Sequence, residues 1–272
     1  MRLVLAADIH YGNMASLEGT GSFMHPAHEV FAKEMHDQKP DILVVAGDCA
    51  EGWLGEANLD MFFQTYKNPH GASLCVPGNH DLWMASWDSS TFPSKLRRFY
   101  AAAERNGWIA LHDQPYEKDG VVVAGHMCWY DFSSADPSIG WSATRWENSH
   151  WSDFDNMMGL RKHCLEWCDQ QMVEFDKCMY HMPTVCRYLA VVTHFVGMQE
   201  LMADGFRSPN HGAAFMGNYS IWPRMERYKP DLYYCSHTHR HKEVIKGKTR
   251  CINNGSGYGY GSKRYDIVEV PE

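Results

Sequence analysis

The sequence predicts an α/β fold built on two sheets, and three observations carry that prediction. The first third alternates short apolar runs with amphipathic helical patterns, strand-helix three times over, which is the order of a parallel sheet with right-handed crossovers. Beyond residue 106 the rhythm changes to a series of short strand-like runs, as for a second, mixed sheet. The first three strand-like runs each end in a polar cluster, Asp8-Ile9-His10, Gly47-Asp48 and Asn79-His80. Open α/β sheets place their sites beyond such carboxyl ends.

Residues 2–7 are apolar and read as the first buried strand. Residues 26–37 carry Ala27, Val30, Phe31 and Met35 at helical spacing, with Pro26 suited to a first turn. Residues 41–46 form the second strand. Asn58 is a candidate cap for a helix with Leu59, Phe62, Phe63 and Tyr66 on one face. Residues 72–76 are a third strand stopped by Pro77-Gly78, and residues 93–106 repeat the helical pattern. In the second part, strands are expected at 108–111, 121–125, 189–193, 231–235, 242–245, 249–252 and 265–270. Residues 129–187 interrupt them with five tryptophans and one convincing helix at 160–179. That segment reads as an inserted, partly helical cap within a single domain spanning residues 1–272. The glycine-rich stretch from Gly255 to Gly261 reads as a loop.

The chain of 272 residues is 44% hydrophobic and 21% charged, enough for a full α/β core. A net charge of −8 gives no global attraction to nucleic acid or anionic lipid. The first eight residues meet charge too soon for a signal peptide, and no run reaches transmembrane length. The nine cysteines lack framework spacing, so reduced thiols and a cytoplasmic location are expected.

The polar residues at strand ends form an ordered series: Asp8, His10, Asp48, Asn79, His194, His237 and His239. They are oxygen and imidazole donors with no thiolate, a set that suits Mn, Fe or Zn. Asp-x-His and His-x-His on extended chain would put both members on one face. The blocks Asp8-x-His10, Gly47-Asp48, Gly78-Asn79-His80-Asp81, His194 and His237-x-His239 occur in an order that resembles the calcineurin-like metallophosphoesterase superfamily. The resemblance implies an α/β/β/α sandwich of two mixed sheets flanked by helices. It implies two divalent metal ions, Mn favoured, with Asp48 bridging. Asp8, His10, Asp48 and His239 would hold one metal, and Asp48, Asn79, His194 and His237 the other.

A phosphoester resists hydroxide because its oxygens are already negative, and two cations offset that charge while making hydroxide available near neutral pH. His80 is the candidate acid for the leaving oxygen, with Asp81 expected to orient it. Asn253-Asn254-Gly255-Ser256 is similar to an Asn-Pro-Gly-Ser loop of the family, with Asn254 in place of Pro. Ser236 stands where the last block usually opens with Gly. The Asp-Arg-Gly extension of the protein Ser/Thr phosphatase branch is absent, which turns the expectation from phosphoproteins toward small phosphoesters, mono- or diester. A nuclease of the same superfamily is the first rival, disfavoured by the acidic balance; a non-catalytic scaffold is the second, disfavoured by the full ligand set.

Cys164, Cys168 and Cys178, near His163, His181 and Cys186, lack a zinc-knuckle spacing and read as small residues on a helix face. The tryptophans of 129–187 are expected to form core rather than a substrate lip. His112, His126, His150 and His211 have no motif and read as surface or hydrogen-bonded histidines. With no matched ligand inside it, segment 129–187 is expected to affect substrate choice more than metal binding.

Overall fold

Alternation along the strands decides the layering. In β1 (Arg2–Ala6), Leu3 and Leu5 face one way and Val4 and Ala6 the other, and all four are buried. A strand buried on both faces must lie inside a sandwich. The same holds for β2 (Ile42–Ala46) and β3 (Ala72–Val76). The computed structural model describes residues 1–12, 25–202, 211–255 and 265–271.

On one face of the first sheet, Val4, Leu43, Val45 and Cys75 pack against Phe31, Phe62, Phe63 and Phe99. These come from α1 (His25–Asp37), α2 (Glu56–Tyr66) and α3 (Phe92–Arg105). On its other face, Leu3, Leu5, Val44 and Val76 meet Val121, Val123, Val192, Leu232 and Tyr234 of the second sheet. The outer face of that sheet is covered in turn, chiefly by α6 (Leu160–Tyr180). The result is helices, sheet, sheet, helices.

The second sheet contains β5 (Tyr116–Lys118), β6 (Val121–His126), β7 (Tyr188–Thr193), β8 (Leu232–Cys235), β9 (Lys242–Lys246) and β10 (Thr249–Asn253), in the order β5-β6-β7-β8-β10-β9. Its four central strands are parallel and the two edges antiparallel. Two strands expected there belong to the first sheet. β4 (Ile109–Ala110) extends the parallel set beside β3, and β11 (Asp266–Glu269) pairs antiparallel with β1. Hydrophobic pattern cannot assign a short strand to one of two sheets that share a core, because both offer the same apolar face. β5 went unpredicted because its Tyr-Glu-Lys has no apolar run.

Helix α3 starts where its signals put it: Pro93 lies in the first turn, and the Thr91 side chain accepts from Ser94 N. Asn58 does not cap α2. It lies inside the first turn and donates Nδ2 to Tyr11 O at 2.8 Å, tying the helix to the loop after β1. Segment 129–187 does not fold around a core of its own. Trp129, Trp146 and Trp167 are buried in the same cluster as Val122, Val191 and Tyr233 of the second sheet. Besides α6 it carries the short helices α4 (Ala143–Glu147) and α5 (Ser152–Asn156) and a 3-10 turn at Pro137–Ile139. Cys164, Cys168 and Cys178 lie on the buried side of α6, with Cys168 Sγ against Trp129 O and Cys178 Sγ against Gly125 O.

Candidate metal centre

The strand-end clusters converge at the carboxyl ends of both sheets. Asp8 and His10 follow β1, Asp48 follows β2, Asn79 and His80 follow β3, His194 follows β7, and His237 and His239 follow β8. Parallel strands that end at the same level deliver these side chains to one place. Asp8, His10, Asp48, His237 and His239 all have positive φ, between 48° and 72°. The extended geometry expected for Asp-x-His and His-x-His is therefore not how their members meet. Left-handed turns fold both members toward the centre, at about 1–3 kcal/mol each. Asp and His tolerate this region better than most residues. Ser236, to which the sequence assigned no role, is buried and donates to Ala46 O at 2.7 Å, and its Oγ lies 3.0 Å from His194 Nδ1.

The donor atoms fall into two groups with a shared member. Asp8, His10, Asp48 and His239 offer ligand atoms within 4.8 Å of one another, as do Asp48, His194 and His237. Asp48 Oδ2 stands 3.5 Å from His10 Nε2, and Asp48 Oδ1 stands 3.5 Å from His194 Nε2. One oxygen thus faces each group. Asn79 joins the second group, its Oδ1 lying 3.0 Å from His194 Nε2.

Protonation logic shows that these groups fit cations. His194 Nδ1 lies 3.1 Å from Ala46 O, an acceptor only, so Nδ1 carries the proton and Nε2 presents a lone pair. The Asn79 amide is turned by Asp153, whose Oδ1 accepts from Asn79 Nδ2 at 2.8 Å. Asn79 Oδ1 therefore faces His194 Nε2, acceptor against acceptor. His237 Nε2 donates to Phe215 O at 3.2 Å, and its buried Nδ1 has no hydrogen-bond partner among the described residues. Asp48 Oδ2 is likewise buried without a donor. Burial holds His10 down at about 4 and His237 at about 3, with His194 and His239 also well below the ordinary imidazole value. Burial pushes the Asp8 and Asp48 carboxyls well up. Neutral imidazoles turned lone pair inward beside buried carboxyls are what divalent cations complete.

Three glycines are required by this packing. A Cβ on Gly78 would collide with the Asp48 carboxylate, and one on Gly47, at φ +86°, with the His194 ring. Gly255 is as closely opposed to Asp8 Oδ2. In the adjoining loop, Asn253 donates to Thr238 Oγ1 and Leu201 O, and Asn254 to Asp266 Oδ2. Ser256 lies outside the described residues, as does most of the predicted glycine-rich loop.

His80 sits beside the first group. Its ring is edge-on to His10 at 4.4 Å and stacked on Trp83 at 3.6 Å, and its backbone N donates to Asp48 Oδ1 at 2.9 Å. The expected contact from Asp81 is not there. Asp81 is buried and turned the other way, accepting from Gly78 N, Cys49 N and Ala50 N at 2.8, 3.1 and 2.8 Å. It pins the Gly47-Asp48 turn to the Asn79-His80 turn, and burial raises its carboxyl to about 7. The carboxylate against His80 Nδ1 is Glu51, at 3.2 Å, and Glu51 Oε1 also accepts from His10 Nδ1 at 3.0 Å. Burial alone would raise the Glu51 carboxyl, but its bonds to His10 and His80 outweigh that and hold it well below the usual range. Glu51, three residues beyond Asp48, was legible only as one more acid in a turn.

Segment 129–187 also reaches the centre. Besides Asn79, Asp153 accepts from Trp83 Nε1 at 2.7 Å and Trp151 Nε1 at 3.1 Å. The segment holds none of the candidate ligands but touches one of them, Asn79, through Asp153. The four histidines without a motif have other partners: buried His126 Nδ1 accepts from Cys128 N, His112 stacks on Tyr100, exposed His150 pairs with Asp155, and exposed His211 rests against Trp141.

Residues 1–241 match the family described as calcineurin-like phosphoesterase. Among solved structures, the chain is similar to the phosphopantetheinyl hydrolase of Mycobacterium tuberculosis, with a TM-score of 0.70 at 16% identity over 93% of this chain and 89% of that one. It is similar to a dimetal phosphatase from Danio rerio, with a TM-score of 0.56 at 13% identity over 100% and 93%. These likenesses show the fold. No curated protein sequence matches. Among the described residues, no helix is long and apolar enough to cross a membrane.

Proposed function

Because the chain belongs to the calcineurin-like phosphoesterase family, we propose that it is a dinuclear metal-dependent hydrolase of small phosphoesters. The observation that carries this reading is Asp48, with one carboxylate oxygen toward each of two groups of inward-turned imidazoles. Two divalent cations, when bound, would offset the phosphate charge and make a nucleophile of water near neutral pH. Asp8, His10, Asp48 and His239 would hold one; Asp48, Asn79, His194 and His237 the other. The oxygen and imidazole set favours Mn over harder cations.

The chain's own residues supply the rest. His80 Nδ1 is engaged by Glu51, which leaves Nε2 as the atom that can donate to a departing oxygen. Glu51 holds His80 and His10 together, so the acid and one ligand are set by one carboxylate. Trp83 closes one face of the His80 ring. The nine free cysteines, eight of them buried, support a reducing, cytoplasmic setting.

The test is metal content and hydrolysis in one preparation. Purified protein is expected to carry two metals per chain and to hydrolyse members of a Mn²⁺ panel of p-nitrophenyl phosphate, its bis ester, a phosphonate diester, cyclic nucleotides and a phosphopantetheinyl protein. Chelation should abolish turnover and Mn²⁺ restore it. Full turnover in protein shown metal-free by elemental analysis would overturn the reading.

A further inference from the structure

We propose that Asp153, carried in from segment 129–187, is a positioning residue that selects the metal-facing orientation of Asn79 and thereby sets the affinity of the second metal position. The inference rests on the dinuclear reading above. An Asn side chain presents either an oxygen or an NH₂ in a given direction, and only the oxygen can serve a cation. Asn79 is buried with Nδ2 on Asp153 Oδ1 and Oδ1 toward His194. Asp153 Oδ1 accepts from that amide at 2.8 Å, and a carboxylate offers only acceptors. Rotating the amide would set its NH₂ against His194 Nε2 and its oxygen against a carboxylate.

Asp153 is itself fixed. It is fully buried, and its two oxygens take three donors, Asn79 and Trp83 on Oδ1 and Trp151 on Oδ2. The backbone of the same element holds the other end of the turn, Met84 N donating to Asn156 O at 2.8 Å. Helix α5 therefore grips the chain on both sides of His80, at Asn79 and at residues 83–84. Through Trp83, stacked on His80, the same carboxylate also braces the candidate acid.

The experiment is calorimetric Mn²⁺ titration of metal-free wild type, Asp153→Ala, Asp153→Asn, Asn79→Ala and the Asp153→Ala/Asn79→Ala pair, with circular dichroism as the folding check. Wild type is expected to show two binding events. Asp153→Ala should weaken the second by about 10–100-fold, the range for loss of a ligand-orienting partner, and leave the first within about threefold. The double variant should be no worse than Asn79→Ala, because Asp153 acts through that amide. Asp153→Asn keeps the shape but sets an NH₂ against the Trp151 indole N–H. It should weaken the second event, and adding Trp151→Phe should restore it. That pair decides the matter if the alanine variant does not fold. Wild-type affinity at both positions in folded Asp153→Ala, equal weakening of both, or no rescue by Trp151→Phe overturns the proposal. A wild type that binds fewer than two metals instead overturns the dinuclear reading, and the clamp with it.

Discussion

At the scale of single residues, the centre depends on atoms that have no tolerance for change. Gly78 lets the Asp48 carboxylate lie against the chain after β3, where any Cβ would collide with it. Gly78→Ala should displace Asp48, at about 1–3 kcal/mol of overpacking, and reduce both bound metal and turnover. Gly140, whose Cβ direction is open but whose φ of +64° costs an alanine about 1–2 kcal/mol of backbone strain, is a control for destabilisation alone; its alanine variant should keep both, as elemental analysis and a rate assay would show. Glu51 joins His10 to His80. A glutamine that keeps its oxygen on both imidazoles sets its NH₂ against the Trp53 indole N–H, which donates to Oε2 at 2.9 Å, and removes the negative charge between the rings, so Glu51→Gln should lower activity by about 10–100-fold. Asp81→Asn, which touches neither ring, should act on the fold of the two turns. Comparing esters of good and poor leaving groups separates the two: the Glu51 defect should grow as the leaving group worsens, since it acts through the acid, whereas an Asp81 defect should be alike on both. His80→Gln should cost about 10²–10⁴ in rate on a poor leaving group and little on p-nitrophenolate, with metal content unchanged.

At the scale of elements, α6 is the outer layer over the second sheet. Phe175 is fully buried against the second sheet, while Val173, on the same helix, is 54% exposed. Phe175→Ala should destabilise by about 3–5 kcal/mol, measured by denaturant unfolding, and Val173→Ala by no more than about 0.5 kcal/mol. If the two variants unfold alike, α6 does not seal the sheet. The three central strands of the first sheet, β1, β2 and β3, have both faces buried, so their apolar runs stand out and were legible almost to the residue. At the edges, β9 was legible, β5 is short and polar and was not, and the sheet that β4 and β11 join was decided by which one has a free edge beside them.

At the scale of the whole molecule, five candidate ligands sit in left-handed backbone and two carboxyls are buried together. Without cations this arrangement strains both the backbone and the charge balance. A cation that binds only the folded state stabilises it by about 2.7 kcal/mol at a hundredfold excess over Kd. Wild-type Tm should therefore rise with Mn²⁺ and fall on chelation, by calorimetry. Asp48→Asn, which lacks the second anionic oxygen, should lose most of that dependence; an unchanged Mn²⁺ shift in that variant would argue against a shared carboxylate.

What the sequence by itself determined is the sandwich and the series Asp8, His10, Asp48, Asn79, His80, His194, His237 and His239, all placed by the tertiary structure around one centre. The reason is local: each of these residues directly follows an apolar strand, and parallel strands carry their ends to a common edge. What only the tertiary structure decided is which groups support them. Glu51 and Asp153 reach His80 and Asn79 from 29 and 74 positions away, and Asp81, the acid adjacent to His80, turns its oxygens to backbone amides instead. A neighbour in sequence shares a backbone with a side chain but need not share its direction. At a tight turn, successive side chains diverge, so the carboxylate beside an imidazole is chosen by packing.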